Sequence, residues 1–203
     1  MLFLTDAAAL EERVGGPPKE RSVRKQLDHL DTGARRFLEA APFCVLATSA
    51  ADGSCDATPR GDEPGFARVL DARTLAIPER PGNRRLDSLR NVLANPHVGL
   101  LFVVPGVPHT LRVNGSARVV ADAEFFDGMA VYGQRPVAAL LVSVTECYFH
   151  CGKALVRSRL WEPDAWPAPR TVPTLGGALR DVLALSEADI AAVDEPLCRP
   201  EIF

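Results

Sequence analysis

Phe43-Cys44-Val45-Leu46-Ala47-Thr48-Ser49 is followed by Ala51-Asp52-Gly53 and then by a second extended run over residues 54–60. The first run has the apolar and β-branched character of a strand, and the Asp-Gly pair supplies turn chemistry, so the stretch predicts a β-hairpin. Five more strand candidates lie downstream, at residues 66–70, 74–78, 98–104, 110–120 and 138–149, with turns at Asp71-Ala72-Arg73 and Pro105-Gly106. One helix is expected among them, where Leu86, Leu89, Val92 and Leu93 form an apolar stripe that Asn95-Pro96 ends. Successive strands with so few helices between them favour an antiparallel barrel over a doubly wound parallel sheet. Closure of that barrel is expected to hide the sheet edges.

Upstream of the hairpin, residues 6–41 are helix-like but broken at Gly15-Gly16-Pro17-Pro18. Val23, Leu27, Leu30, Ala34, Phe37, Leu38 and Ala41 recur at the spacing of one helical face, and Asp31-Thr32 offers a cap for a fresh helix. Downstream, a short helix is expected over residues 122–132, and residues 152–161 read either as a helical turn or as continued strand. A proline-rich extended linker from Pro163 then leads to a helix near residues 175–185. The predicted organisation is a helical segment over 1–41, a barrel over 42–161 and a C-terminal extension over 162–203.

With 203 residues, 47% of them hydrophobic, the chain can bury a core of its own. A formal net charge of −3 provides no general attraction to a polyanion, so neither nucleic acid nor an acidic membrane is an expected partner. Five cysteines (Cys44, Cys55, Cys147, Cys151 and Cys198) are an odd number in a chain that needs no staples, which predicts reduced thiols rather than a secreted scaffold. The N-terminal residues lack a basic leader pattern and no long apolar run occurs, so the expected location is the cytoplasm.

Chemistry concentrates in Glu79-Arg80-Pro81-Gly82-Asn83-Arg84-Arg85-Leu86-Asp87, which joins a strand to the expected helix. Asn83 reads as the N-cap, which puts Arg84 and Arg85 in a first turn where the helix dipole disfavours cations. A bound dianion resolves that conflict: one guanidinium–phosphate contact is worth roughly 4 kcal/mol of gross Coulomb energy at an effective dielectric near 20, against a dipole penalty of ~0.3–1 kcal/mol. The competing reading is a solvated basic turn paired with Glu79 and Asp87. In Asp56-Ala57-Thr58-Pro59-Arg60-Gly61-Asp62, Arg60 either reaches the same anion or forms a local pair with Asp62. Residues 146–161 gather aromatics, His150 and several cations, and suit the border of a ring-shaped ligand. Cys147, His150 and Cys151 lack a second ligand pair at metal-site spacing, so no metal is expected and these thiols read as small buried side chains. His29 and His97 read as surface or core residues, whereas His109 adjoins a candidate site strand. No dinucleotide glycine fingerprint, phosphate-cradling loop or serine nucleophile elbow is present.

Taken in order, Ala41-Pro42-Phe43, Ala57 to Asp62, Arg80 to Leu89, Asn95 to Phe102 and Leu111-Arg112-Val113-Asn114-Gly115 resemble the pyridoxamine 5'-phosphate oxidase-type FMN flavoproteins over residues 30–161. The resemblance implies a Greek-key split β-barrel and a homodimer with two FMN sites shared between subunits. It also implies a phosphate clamp at Asn83, Arg84 and Arg85, assisted by Arg60, and Arg80 in the same basic segment is expected to bind the cofactor with them. Thr110 falls where the family places a glutamine against the flavin, and Lys153, Ser158 and Trp161 are expected to approach it from the partner subunit. The arginine and histidine pair that holds the pyridoxal substrate has no counterpart near the C-terminus, so oxidation of that vitamin is not the expected reaction. The expected activity is an FMN-dependent oxidoreduction of a small molecule, with a donor such as NADH or NADPH. The alternatives are an F420-dependent reductase on the same fold, and a protein that binds or senses flavin without turnover.

Overall fold

The computed structural model describes residues 1–168 and 171–195. Seven strands form one antiparallel sheet: β1 (Phe43–Ser49), β2 (Cys55–Gly61), β3 (Arg68–Val69), β4 (Thr74–Glu79), β5 (His97–Val103), β6 (Thr110–Val120) and β7 (Ala138–His150). Their order is β2-β1-β5-β6-β7-β4-β3, so the hairpin that opens the fold forms one end of the sheet. Phe43 pairs with Gly61 and Ser49 with Cys55, which is the register an alternating hairpin needs. The expected strand at 66–70 shortens to Arg68–Val69, because only Leu75 and Ala76 of β4 pair with it.

The sheet is not closed by hydrogen bonds, contrary to the expectation from strand count. β2 ends the order on one side, and β4 beyond Ala76 has no strand partner on its outer side among the described residues. Pro59 and Pro78 sit on the two strands that face this gap, and neither residue has an N–H to donate across it. The barrel is therefore split, and side chains bridge the gap.

Inside the curl, Leu46, Leu75, Ile77, Leu100, Phe102, Leu111, Val113, Leu140 and Val142 are buried almost completely. Burying each large side chain contributes about 1.5–3 kcal/mol. The helix α3 (Thr32–Ala40) adds Ala34, Phe37 and Leu38 to this core. Its N-cap is Asp31, whose carboxylate accepts from the Ala34 amide at 2.7 Å, as the sequence implied. The helical face read through Val23 and Leu27 does not extend that far back. Val23 is exposed on α2 (Glu20–Arg24), and Leu27 forms a β-bridge with Cys147. Ahead of both, α1 (Ala7–Val14) is capped by Asp6 and ends at Gly15, and buries nothing.

The helix α4 (Asp87–Ala94) lies against β1, β2 and β6. Residues 124–129 form a 3₁₀ helix, shorter and tighter than the helix expected there. The ambiguity at 152–161 resolves as a short helix, α5 (Lys153–Arg157). The tail contains α6 (Leu175–Leu183) and a second helix, α7 (Glu187–Asp194), that the sequence reading missed. Gly176 meets Ile190 where these two helices cross, and a methyl group there would lie 2.7 Å from the Ile190 carbonyl oxygen. No helix among the described residues is long and apolar enough to cross a membrane.

Cys44 and Cys147 are buried, and burial pushes both thiols up to about 12. Cys55 and Cys151 are exposed, so the expectation of a buried thiol fails for Cys151, which lies past the end of β7. Cys198 lies outside the described residues. A maleimide at pH 8 is expected to label Cys55 and Cys151 and to spare Cys44 and Cys147, as peptide mass mapping of the folded protein would report. A second prediction concerns the bulge at Asn114/Gly115 in β6, where a methyl group on Gly115 would lie 2.0 Å from the Ser143 carbonyl oxygen. Gly115→Ala should cost about 1–3 kcal/mol in a thermal or urea melt, whereas Gly82→Ala, which meets nothing within 4 Å, should stay near neutral.

Candidate functional site

The gap between β2 and β4 is bridged by two ion pairs. Arg60 of β2 pairs with Glu79 of β4 through Nη1, and Arg80, just past β4, pairs with Asp62, just past β2. Asp62 is almost fully enclosed, with a side chain 1% exposed. Arg80 donates from Nε to Asp62 at 2.8 Å and from Nη2 to the Met129 carbonyl at 2.8 Å, and a longer contact reaches the Gln134 carbonyl. Its donors are thus directed at the protein, and they tie the loop around residues 129–134 to the gap. Arg60 differs, because its Nε is buried and has no hydrogen-bond partner among the described residues. The local Arg60–Asp62 pair considered from sequence does not form; each residue pairs across the gap instead.

Arg60, Arg80 and Asn83 line a cleft of about 280 Å³ at this place, together with Pro59, Gly61 and Pro78. The turn above it departs from the sequence reading. Asn83 is not the helix N-cap: its side chain accepts from the Arg85 amide at 3.0 Å, closing a local turn. The N-cap is Leu86, with no side-chain capping bond, and α4 starts at Asp87. Arg84 and Arg85 therefore precede the helix, and the first turn carries the acid that the dipole favours. Arg85 pairs with Asp87 at 2.7 Å, as the solvated-turn reading expected. Arg84 is exposed and has no ion pair among the described residues. Arg84 and Leu86 both adopt the left-handed region, with φ of 61° and 60°. For side chains of this size that conformation costs roughly 1–2 kcal/mol per residue.

A second cavity, of about 420 Å³, opens on the outer face of the sheet. Val45, Ala47, Gly99 and Leu101 give it an apolar floor, and Thr110, Arg112 and Asn114 of β6 give it a polar side. These three alternate along one strand, so period two puts them on one face. Thr110 is buried at the edge of this cavity, where the helix α5 contributes Ala154 and Leu155. The Arg112 guanidinium sits 5.2 Å from the Tyr148 ring centroid, and Asn114 donates to Glu146. Arg112 and Asn114 were quoted from sequence only as parts of a motif. The alternation on β6 was the signal that would have selected them.

The remaining predicted residues lie elsewhere. Lys153, with His109 and Arg157, lines a shallow cleft on another face of α5. The His109 ring packs against Phe37 and Phe149, at 5.5 Å from each. Ser158 donates to the Leu155 carbonyl at 3.1 Å, and Trp161 Nε1 donates to the Val107 carbonyl at 3.0 Å. One chain thus gathers Arg60, Arg80 and Asn83 in one cleft with Arg84 and Arg85 on the adjoining turn, but it sets Thr110 and Lys153 in two other cavities.

A comparison with curated proteins finds no match. Among solved structures, a variant of HupZ from Group A Streptococcus is 15% identical, with a TM-score of 0.48, and the alignment covers 60% of this chain and 99% of that one. A candidate pyridoxamine 5'-phosphate oxidase from Lactobacillus delbrueckii is 22% identical with a TM-score of 0.47, covering 61% and 98%. An F420 reductase is 20% identical with a TM-score of 0.43, covering 59% and 98%. The family model for pyridoxamine 5'-phosphate oxidase matches residues 30–151, more than half of the chain. That span runs from the buried Leu30, before α3, through the whole sheet to the end of β7, and the chain belongs to the pyridoxamine 5'-phosphate oxidase family.

Proposed function

We propose that this protein binds FMN as a homodimer and uses it to oxidise or reduce a small molecule in the cytoplasm. The observation that carries the reading is Arg84: an exposed guanidinium with no carboxylate partner among the described residues, on a turn held at positive φ on both sides of Arg85. Strain of this kind persists where the surroundings impose it, and it marks ligand clamps. A phosphate dianion gives Arg84 an acceptor and competes with Asp87 for Arg85.

The residues fit such a group unequally. Asn83, Arg84 and Arg85 form the clamp, and Arg60 lines the same cleft beside them. Arg80 is committed to Asp62 and to backbone carbonyls, so its part is to shape the cleft rather than to hold the phosphate. The apolar cavity beside Thr110, Arg112 and Asn114 suits a flat ring with a polar edge, and it lies apart from the arginine turn. A second copy of the chain that offers its Thr110 cavity, with Lys153, Ser158 and Trp161 nearby, completes one site from two subunits. FMN supplies the hydride and electron chemistry, so the chain needs no acid–base pair of its own and serves to orient the ring and exclude water. NADH or NADPH is the donor class consistent with that chemistry.

The test begins with the spectrum of the purified protein and the mass of what it releases on denaturation; a deazaflavin mass, or no flavin at all after reconstitution, overturns the assignment. Arg84→Ala combined with Arg85→Ala should weaken FMN binding at least tenfold, by about 1.4 kcal/mol or more, while riboflavin binding changes little, because only FMN carries the phosphate. Equal losses for both ligands would contradict the clamp. Light scattering of the flavin-loaded protein should return a dimer mass, and a monomer with flavin still bound would contradict the shared site.

A further inference from the structure

The arginine turn enters α4 without a side-chain cap, since its N-cap residue is Leu86 in the left-handed region. Something else must fix the start of this helix. Ser88, in its first turn, is 1% exposed, and its hydroxyl donates to Asp56 Oδ2 at 3.0 Å. A serine hydroxyl has one proton, so the contact of 3.0 Å between Ser88 Oγ and Thr58 Oγ1 takes its proton from Thr58. One helical turn further, Asn91 donates to the buried Thr48 of β1 at 3.0 Å. Asp56, Thr58 and Arg60 follow at intervals of two along β2 and so share one face. A single row of that strand therefore anchors α4 and also provides the cross-gap pair with Glu79.

Resting on the FMN reading above, we propose that Ser88, held by Asp56 and Thr58, is the positioning residue that sets the phosphate selectivity of the arginine turn. Ser88 lies three residues after Arg85, and its inward bond fixes the origin of α4 against β2. With that origin fixed, Arg84 and Leu86 are held in their left-handed conformations, and the turn that carries Arg84 and Arg85 keeps its place beside the cleft. Without it the first turn of α4 is free to fray, Arg84 relaxes to negative φ, and the clamp loses its preset geometry. Affinity for the ring, which uses other residues, is untouched by this change. Asp56 holds Ser88 as a hydrogen-bond acceptor.

Dissociation constants for FMN and for riboflavin, read from flavin fluorescence on the full chain, test this. In Ser88→Ala the preference for FMN over riboflavin should fall about tenfold, the equivalent of one lost buried hydrogen bond, while riboflavin affinity stays within about twofold of wild type. Asp56→Ala should reproduce that loss from the strand side, and serves if Ser88→Ala does not fold. Asp56→Asn, which keeps an oxygen acceptor, should retain the preference. Added to Arg84→Ala with Arg85→Ala, Ser88→Ala should change the ratio no further. A wild-type protein that binds the two ligands equally overturns the phosphate reading and the proposal together. A wild type that prefers FMN, matched by a Ser88→Ala variant with the same preference or with equal losses for both ligands, overturns the positioning role alone.

Discussion

The two cross-gap ion pairs, Arg60–Glu79 and Arg80–Asp62, are the contacts on which the arrangement of the site depends. Where β2 and β4 approach each other the chain offers prolines instead of ladder donors, so the curl of the sheet is completed by side chains. Enclosed ion pairs of this kind contribute little net stability, because desolvation offsets most of their attraction, yet loss of one partner leaves a buried charge at a cost of about 3–5 kcal/mol. Their value is geometric. They set how far apart the two strand ends stand, and hence the width of the cleft beneath the arginine turn.

That constraint separates roles that looked alike in the sequence. Four arginines lie at or near the turn from β4 to α4, and charge alone would assign all of them to one anion. Saturated donors make Arg80 a structural tie, whereas Arg60 keeps one unsatisfied donor, Arg85 is shared with Asp87, and Arg84 has no partner among the described residues. The number of acceptors each guanidinium meets therefore separates an arginine committed to the fold from one with donors to spare. Acceptors supplied by distant segments, such as the Met129 and Gln134 carbonyls, leave no mark in the local sequence.

The same division explains which parts of the fold were legible. Apolar and β-branched runs bounded by turn residues identified all seven strand regions, and Asp31 announced its helix, because those signals are local. Closure was misjudged because it depends on whether two remote strand ends can exchange donors, and the significance of Pro59 and Pro78 emerges only when they face each other. Asn83 was misread as an N-cap because its side chain satisfies a nearer amide, that of Arg85. The helix α7 was missed because its apolar residues form no clear stripe: Ile190 alone is buried, against a glycine of α6. Among site residues, the cationic turn was visible as a charge pattern at odds with a helix start. Arg112 and Asn114 were hidden in a strand whose two faces had not yet been told apart.

The strained turn and the row on β2 belong to one mechanical unit. Asp56 and Thr58 fix the start of α4, Arg60 fixes the distance to β4, and the turn from Arg80 to Leu86 spans between these two anchors. A turn anchored at both ends can hold non-glycine residues at positive φ, since relaxing either one would require breaking a buried contact. The anchors hold the backbone that carries Arg84 and Arg85 in place before any anion arrives, as the proposed clamp requires. Preorganisation of this sort reduces the entropy lost on binding, which matters most for a ligand gripped through flexible arginine side chains. The edge strand β2, weak as a strand because of Pro59 and its open side, is thereby the element that connects barrel geometry to the arginine turn.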